Sequence, residues 1–335
     1  MRFSSQTPRP TIRARCLRAG FYPLLIASFL SFFLIGCTPF ALPKTADSIE
    51  KQQQNLRLQI LLDSENFGPG VVDGHYGEFT AKALINYRRA KGLAPDALPD
   101  ISQIRPYTRY TITATDFSPL GTMASSTEEM AKQSKMPYTT LIELLSERFH
   151  TTQKFLRKLN PGKNFSSMQA GEMITVPNVK RPFRVDRYPS SYPAAGSSLA
   201  ANRHVTVDIN QRILTIEENG RLIASFPITP GSAEHPAPVG EWRIVGSVPW
   251  PWYRYDEGVL KRGERTETFY NLPPGPNSPV GILWAGLNRA GIGIHGTPAP
   301  DTIGRAGSHG CIRLSNWDAA TFHTIAGKGT KVTIR

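Results

Sequence analysis

Cysteine is scarce in this chain, which contains three in 335 residues, at positions 16, 37 and 311. Acidic residues are also outnumbered, 26 against 39 lysines and arginines, and the formal net charge is +13. A positive charge of this size suits an anionic partner, and both membrane surfaces and nucleic acids attract it. No motif that reads DNA or RNA occurs, so no nucleic-acid partner is expected. A hydrophobic share of 40% excludes a disordered chain.

The first 36 residues contain no acid, and five arginines there precede the apolar run FYPLLIASFLSFFLI at 21–35. The run suits the hydrophobic part of a signal sequence and is short for a membrane-spanning helix. Ending at Gly36-Cys37, the segment resembles a bacterial lipoprotein signal, in which the cysteine is lipidated. The resemblance predicts a periplasmic protein held by lipid on Cys37, with Thr38 favouring the inner leaflet of the outer membrane. An uncleaved N-terminal anchor is the alternative.

Removal of this signal and lipidation of Cys37 would leave a single free cysteine. Cys311 would be the only thiol left, because Cys16 leaves with the signal and Cys37 carries lipid. An intrachain disulfide is then excluded, and we expect a functional Cys311 rather than an inert buried one. The five arginines leave without any acid, so the formal net charge falls from +13 to +8.

The sequence predicts a multidomain α+β protein whose last domain is mainly β. We divide it into six parts: a signal peptide (1–36), a tether (38–56), a helical module (57–95), a second module (107–179), a Pro/Ser/Ala-rich linker (180–203) and a C-terminal domain (204–335).

The helical module is predicted from two apolar helical patterns around a Gly-rich turn at Asp73-Gly74. LQILLDSENFGPGVVDGHYGEFTAKALINYRRAKGL at 58–93 resembles the peptidoglycan-binding-domain family. This resemblance implies binding to the cell wall. A module that only separates the C-terminal domain from the membrane is the alternative.

The second module reads as strand, helix, helix and strand, with the strands at 110–117 and 171–178. The helices are expected at 137–152 and 153–162. This order resembles a LysM carbohydrate-binding unit, although residues 118–135 interrupt the usual short passage from strand to helix. We therefore expect the packing unit, with sugar binding left open.

The C-terminal domain is predicted to be mainly β because apolar residues alternate with period two in several short runs. Asn219-Gly220 between two such runs predicts a hairpin. One helix is expected near 316–326, capped by Ser315 or Asn316.

Cys311 follows Ser308-His309-Gly310, and His295-Gly296 lies sixteen residues upstream. A cysteine nucleophile needs a base, and a nearby imidazolium favours the thiolate. Glycines let backbone N–H groups face a developing oxyanion. Zinc bound by His295, His309, Cys311 and His323 is the rival interpretation, disfavoured because a second cysteine is missing.

The stretch IGIHGTPAPDTIGRAGSHGCIRLSNWDA at 292–319 resembles the signature of the L,D-transpeptidase (YkuD-like) family. That signature is an upstream His-Gly followed by Ser/Thr-His-Gly-Cys-x-Arg. The likeness extends through 205–244 and 273–287 and thus covers nearly all of the C-terminal domain.

The resemblance implies a role for each residue of the motif. Cys311 would be the nucleophile and His295 the general base, with the backbone carbonyl of Gly296 orienting the imidazole. Three further residues would form the nucleophile turn and the oxyanion site: Ser308, His309 and Gly310.

Arg313 would either bind a substrate carboxylate or lock the loop. Residues 247–279 lie between two predicted strands, and their aromatic side chains would either line the substrate groove or pack in the core. Trp252 and Tyr253 are the candidate substrate contacts among them.

The implied substrates are tetrapeptide stems of peptidoglycan, from which acylation of Cys311 releases D-Ala. Transfer to an amine would give a 3–3 cross-link. The reaction needs no cofactor and no metal, and carbapenem-type inhibitors are expected. An L,D-carboxypeptidase, an enzyme that attaches a lipoprotein to peptidoglycan, and a non-catalytic wall-binding lipoprotein are the alternatives.

Overall fold

Residues 44–335, apart from 233–234 and 306–309, are described by a computed structural model of the protein. The predicted signal peptide and Cys37 lie outside the described residues, as do Ser308 and His309. Among the helices of the described part, none combines the length and the apolar character needed to cross a bilayer.

The helical module consists of α1 (Lys44–Ser64) and α2 (Glu78–Lys91). Helix α1 begins at Lys44, inside the segment predicted as the tether. The side chain of Leu56 is fully buried in the main core, so packing contacts of this helix begin before residue 57. The turn between the helices is fastened by Gln59, whose Oε1 accepts hydrogen bonds from the backbone N–H groups of Asp73 and Gly74.

The second module has two strands that enclose three helices, one helix more than predicted. It comprises β1 (Tyr107–Thr111), α3 (Thr127–Ala131), α4 (Leu141–Arg148), α5 (Gln153–Leu159) and β2 (Met173–Pro177), with β1 and β2 antiparallel. The first strand ends earlier than predicted, because residues 114–116 form a 3₁₀ turn whose Asp116 pairs with the buried Arg148. The additional α3 lies in the interruption at 118–135, and the likeness to LysM stays a prediction.

The predicted linker is packed against the rest of the protein over its first half. Phe183, Val185 and Tyr188 are buried, and α6 (Ser197–Ala201) closes the segment. The apolar side chains of this segment are therefore part of the core of the protein.

The C-terminal domain is built on a mixed sheet. Among the described residues its strands are β3 (Arg203–Asp208), β4 (Ile213–Glu218), β5 (Arg221–Pro227), β6 (Thr229–Pro230), β7 (Gly240–Pro249), β10 (Leu283–Leu287), β11 (Gly293–His295), β12 (Ile312–Arg313) and β13 (Lys331–Ile334), and their order is β5-β4-β3-β13-β7-β10-β11-β12-β6. Between β7 and β10, a separate hairpin of β8 (Tyr253–Tyr255) and β9 (Tyr270–Leu272) carries α7 (Glu257–Arg262).

Two local predictions for this domain are confirmed. Asn219 and Gly220, both with positive φ, join β4 and β5 in a hairpin whose last pair is Glu218 opposite Arg221. Helix α8 (Asn316–Ile325) follows β12, and Ser315 caps it by accepting a hydrogen bond from the N–H of Asp318. This cap fixes the start of α8 immediately behind the Cys311 motif.

The helical module continues the sheet at its β5 edge. The N–H of Ser225 donates to the carbonyl of Asn66 at 2.9 Å, and the N–H of Gly68 donates to the carbonyl of Ser225 at 2.8 Å. Beside this contact the two parts share an apolar cluster: Leu58, Leu62, Phe67, Ala83, Leu84 and Leu222. The module is therefore packed onto the C-terminal domain along the chain's own edge strand.

Candidate active site

Two short parallel strands bring the predicted base and nucleophile to one face of the sheet. Between β11 and β12, Ile294 lies opposite Ile312 and His295 opposite Arg313. Paired residues in a ladder point to the same face, and successive residues alternate. His295 and Arg313 thus lie on one face of the sheet, and Cys311, two residues before Arg313, continues that face. Ile294 and Ile312 are fully buried.

His295 is held in one tautomer by the neighbouring backbone. Its Nδ1 lies 2.6 Å from the carbonyl oxygen of Gly296 and donates to it, so Nε2 is the nitrogen that can accept a proton. The ring stacks on Trp284 with 5.6 Å between centroids and is 4% exposed. Burial lowers the pKa of His295 to about 4, and the charge of Arg313 acts in the same direction. The imidazole is therefore neutral at physiological pH.

Cys311 is half-buried, and its Sγ donates to the carbonyl oxygen of Gly291 at 3.4 Å. Burial raises the pKa of the thiol, while a hydrogen bond from the backbone of Gly293 and the charge of Arg313 oppose the rise. With His295 neutral, the pair rests as thiol and imidazole. Burial thus disfavours both the thiolate of Cys311 and the imidazolium of His295.

The turn before the nucleophile depends on Gly310. Its φ of +83° lies in the left-handed region, and a Cβ there would be 3.3 Å from Cδ1 of Ile292. The backbone at this position therefore favours glycine. Ser308 and His309, predicted to shape the same turn, lie outside the described residues.

Arg313 and Tyr253 lie near the thiol. Burial lowers the pKa of Arg313, and the nearby ionisable groups of Cys311 and Tyr253 oppose that shift. Burial likewise raises the pKa of Tyr253, with the charge of Cys311 adding to the rise. Trp252 is 61% exposed and is not brought into the core. The hairpin of β8 and β9 thus delivers Tyr253 to the site and leaves Trp252 at the surface.

The zinc interpretation finds no support in the described residues. No group of three or more His, Cys, Asp or Glu side chains with metal-binding geometry occurs among them, a set that excludes His309. His323 instead pairs its Nδ1 with the hydroxyl of Ser247 at 2.8 Å.

Asn316 is a site residue that the sequence reasoning considered only as a helix cap. A Cβ added to Gly296 would lie 2.4 Å from Oδ1 of Asn316, so this buried amide packs directly against the peptide that orients His295. Its position directly after the cap residue Ser315 gave no signal for this contact, which depends on tertiary packing.

The sequence and the structure were compared with those of known proteins. The profile of the YkuD family, described as the L,D-transpeptidase catalytic domain, matches residues 202–334. The chain is 31% identical over 193 residues to YkuD of Bacillus licheniformis, a protein provisionally named as an L,D-transpeptidase; the alignment covers 58% of this chain and 92% of that relative.

Two solved structures also resemble the chain. The L,D-transpeptidase from Mycobacterium smegmatis is 21% identical with a TM-score of 0.33, over 40% of this chain and 59% of that one. L,D-transpeptidase 3 from Mycobacterium tuberculosis, solved with a faropenem-derived adduct, is 19% identical with a TM-score of 0.34, over 50% of this chain and 76% of that one. The chain thus spans about three fifths of the M. smegmatis structure.

Proposed function

The chain belongs to the L,D-transpeptidase family, and on that basis we propose that it is a cysteine acyltransferase that acts on tetrapeptide stems of peptidoglycan. The observation that carries the proposal is the placement of His295, with its Nδ1–H held by Gly296, on the face of the sheet that Cys311 extends. A neutral imidazole and a thiol on one face form a general base and the nucleophile that it activates.

The first half-reaction follows from these two groups. Nε2 of His295 takes the thiol proton as Sγ of Cys311 attacks the carbonyl carbon at the L-centre of the third stem residue. The N–H groups of Gly310 and Cys311 stabilise the tetrahedral oxyanion. When the intermediate collapses, His295 returns the proton to the amine of D-Ala, which leaves, and a thioester remains on Cys311.

The second half-reaction uses the same base in reverse. An amine attacks the thioester, His295 accepts the proton of the amine, and the thiol of Cys311 is regenerated with that proton. A stem-peptide amine gives a 3–3 cross-link, whereas water gives hydrolysis. Transfer to a lipoprotein lysine would follow the same steps, so product analysis identifies the acceptor.

We assign an electrostatic role to Arg313. Its charge lowers the pKa of both Cys311 and His295, which favours the thiolate at the moment of attack and keeps the base neutral beforehand. A substrate carboxylate beside Arg313 would be a second use of the same charge. Tyr253, with its hydroxyl near both groups, would contact the stem peptide.

Incubation of the protein with a disaccharide-tetrapeptide tests the proposal. We expect release of D-Ala and a transient mass increase at Cys311, both lost in Cys311→Ala. His323→Gln, which changes a buried histidine outside the site, serves as the control and should retain both signals. Absence of D-Ala release together with absence of any adduct at Cys311 would contradict the proposal.

Faropenem offers a second probe, because the M. tuberculosis relative was solved with an adduct derived from it. We expect penem and carbapenem rings to acylate Cys311, seen as an intact-mass increase. A protein that stays unmodified would favour the alternative of a non-catalytic wall-binding protein.

The anchor and the two N-terminal modules complete the proposed picture. We propose lipidation of Cys37, a periplasmic location at the outer membrane, and wall binding by the helical module and the LysM-like module. Radiolabelled palmitate should enter the protein in cells, and Cys37→Ser should abolish that label. Sedimentation with purified peptidoglycan tests the modules, and a protein that stays in the supernatant would assign them a structural role only.

A further inference from the structure

A buried carboxyl group of the second module reaches the start of α8. Glu147, in α4, is 2% exposed, and its Oε1 and Oε2 accept hydrogen bonds from Nδ2 of Asn316 at 3.3 and 3.0 Å. Oε2 also accepts the hydroxyl proton of Tyr138 at 2.7 Å. Burial raises the pKa of Glu147 to about 8, while the hydrogen bonds from Tyr138 and Asn316 oppose the rise. These three side chains form one hydrogen-bonded chain between the module and the C-terminal domain.

Asn316 passes this connection to the peptide that orients the base. Its Oδ1 accepts from the N–H of Ile282 at 3.3 Å, and its Nδ2 also donates to the carbonyl of Pro276 at 3.2 Å. The same Oδ1 packs against Gly296, where a Cβ would approach it to 2.4 Å. Because the carbonyl of Gly296 accepts the Nδ1–H of His295, a shift of Asn316 moves the acceptor that fixes the imidazole.

The second module also binds the loop before β10 through its backbone. The N–H of Met136 donates to the carbonyl of Pro274 at 2.9 Å, and the N–H of Asn277 donates to the carbonyl of Met136 at 3.2 Å. The side chain of Asn277 adds a bond to the carbonyl of Pro137 at 2.9 Å. Met136 and Pro137 are therefore bonded to the same loop whose Pro276 carbonyl accepts from Asn316.

We propose that Glu147 is a positioning residue for catalysis, which acts through Asn316 on the Gly296 peptide and so sets the orientation of His295 toward Cys311. The inference rests on the proposed function for its kinetic test. It gives the contact between α4 and the start of α8 a role in catalysis that does not depend on glycan binding by the second module.

The kinetic test measures acylation of Cys311 by faropenem in the full chain. Small displacements of catalytic groups have large effects on rate. We therefore expect Glu147→Ala and Asn316→Ala each to lower the acylation rate constant about tenfold at unchanged affinity. The double variant should lose little more than either single variant, because both changes break the same connection.

The matched control is Asn160→Ala. Asn160 is also a buried polar residue of the second module, but its side chain bonds Leu156 and Thr175 within that module. We expect this variant to lose stability while its acylation rate constant stays within twofold of wild type. Glu147→Gln retains a neutral acceptor for Asn316 and should keep most of the activity. If Glu147→Ala does not fold, Asn316→Ala breaks the same contact and supplies the readout.

A second readout does not depend on the proposed function. With histidine labelled in ¹⁵N, the ring signals of His295 report its tautomer and the hydrogen bond to Gly296. We expect these signals to change in Glu147→Ala and Asn316→Ala and to remain in Asn160→Ala. The two proposals can therefore fail separately. If no substrate or β-lactam reacts with the wild-type protein, but the His295 ring signals change in Glu147→Ala and Asn316→Ala, the proposed function is rejected and the positioning role is retained.

The proposal is overturned by a folded Glu147→Ala protein in which the His295 ring signals match those of wild type and the acylation rate constant is unchanged. If Glu147→Ala does not fold, the same result in Asn316→Ala overturns it. Equal rate losses in Asn160→Ala and Glu147→Ala, with additive effects in the double variant, would also overturn it, since they indicate general destabilisation.

Discussion

The neutral state of His295 can be perturbed by removing the indole that covers one side of it. Burial holds the pKa of His295 at about 4 against an ordinary value of 6.5. At about 1.4 kcal/mol for each tenfold change, burial therefore disfavours the charged form by about 3 kcal/mol. Trp284 stacks on the ring with 5.6 Å between centroids, so Trp284→Ala admits water to that side. We expect the pKa to rise by about one unit, which is roughly 1.4 kcal/mol of recovered solvation.

The assay is the acylation rate constant of Cys311 with faropenem from pH 3.5 to pH 9. In wild type the acid limb should fall near the pKa of His295, about 4, and in Trp284→Ala it should move toward 5. Trp242→Ala is the control, because Trp242 is a half-buried tryptophan on β7 whose indole N–H donates to Pro238. A folded Trp284→Ala protein with an unmoved acid limb would refute the assignment of burial as the cause.

Three further outcomes can be measured. The raised pKa of Glu147 means that wild type loses stability as the pH rises from about 4.5 to about 8. In urea titrations, Glu147→Gln should reduce the difference in unfolding free energy between pH 5 and pH 8 by up to about 4 kcal/mol. An unchanged difference would contradict this. Gly310→Ala places a side chain at a φ of +83°, so we expect about 1 kcal/mol of strain and at least tenfold slower acylation, whereas wild-type kinetics would show that the turn tolerates alanine. Arg148→Met leaves the fully buried Asp116 without its cation, so the free energy of unfolding in urea titrations should fall by about 3–5 kcal/mol, and Asp116→Asn in the same chain should restore part of it. A smaller loss that the second change does not alter would argue against the buried ion pair.

Local patterns in the sequence were sufficient for much of the C-terminal domain. Period-two alternation at 204–209 and 213–218 predicted β3 and β4, and Asn219-Gly220 predicted the hairpin, because both signals depend on neighbouring residues only. The pairing of His295 with Cys311 was inferred from the motif. The ladder between β11 and β12 supplies the geometry, which no spacing along the chain contains.

The parts that the sequence did not predict depend on contacts between distant segments. Leu56 extends α1 toward the N-terminus because it enters a core formed mainly by later residues. The bond between Glu147 and Asn316 joins residues 169 positions apart, and neither side chain has a local signature for it. The protonation states of His295 and Cys311 follow from burial, which a one-dimensional pattern cannot supply.

The contact of residues 66–68 with β5 has a consequence for aggregation. β5 is an outer strand of the sheet, and an uncovered edge offers its N–H and C=O groups to other chains. Asn66 and Gly68 occupy the backbone groups of Ser225, and apolar side chains of α1 and α2 cover the strand beside them. A fragment cut at the family boundaries, 202–334, would leave this edge bare. By covering the β5 edge, the N-terminal helices therefore disfavour pairing of that edge with another chain.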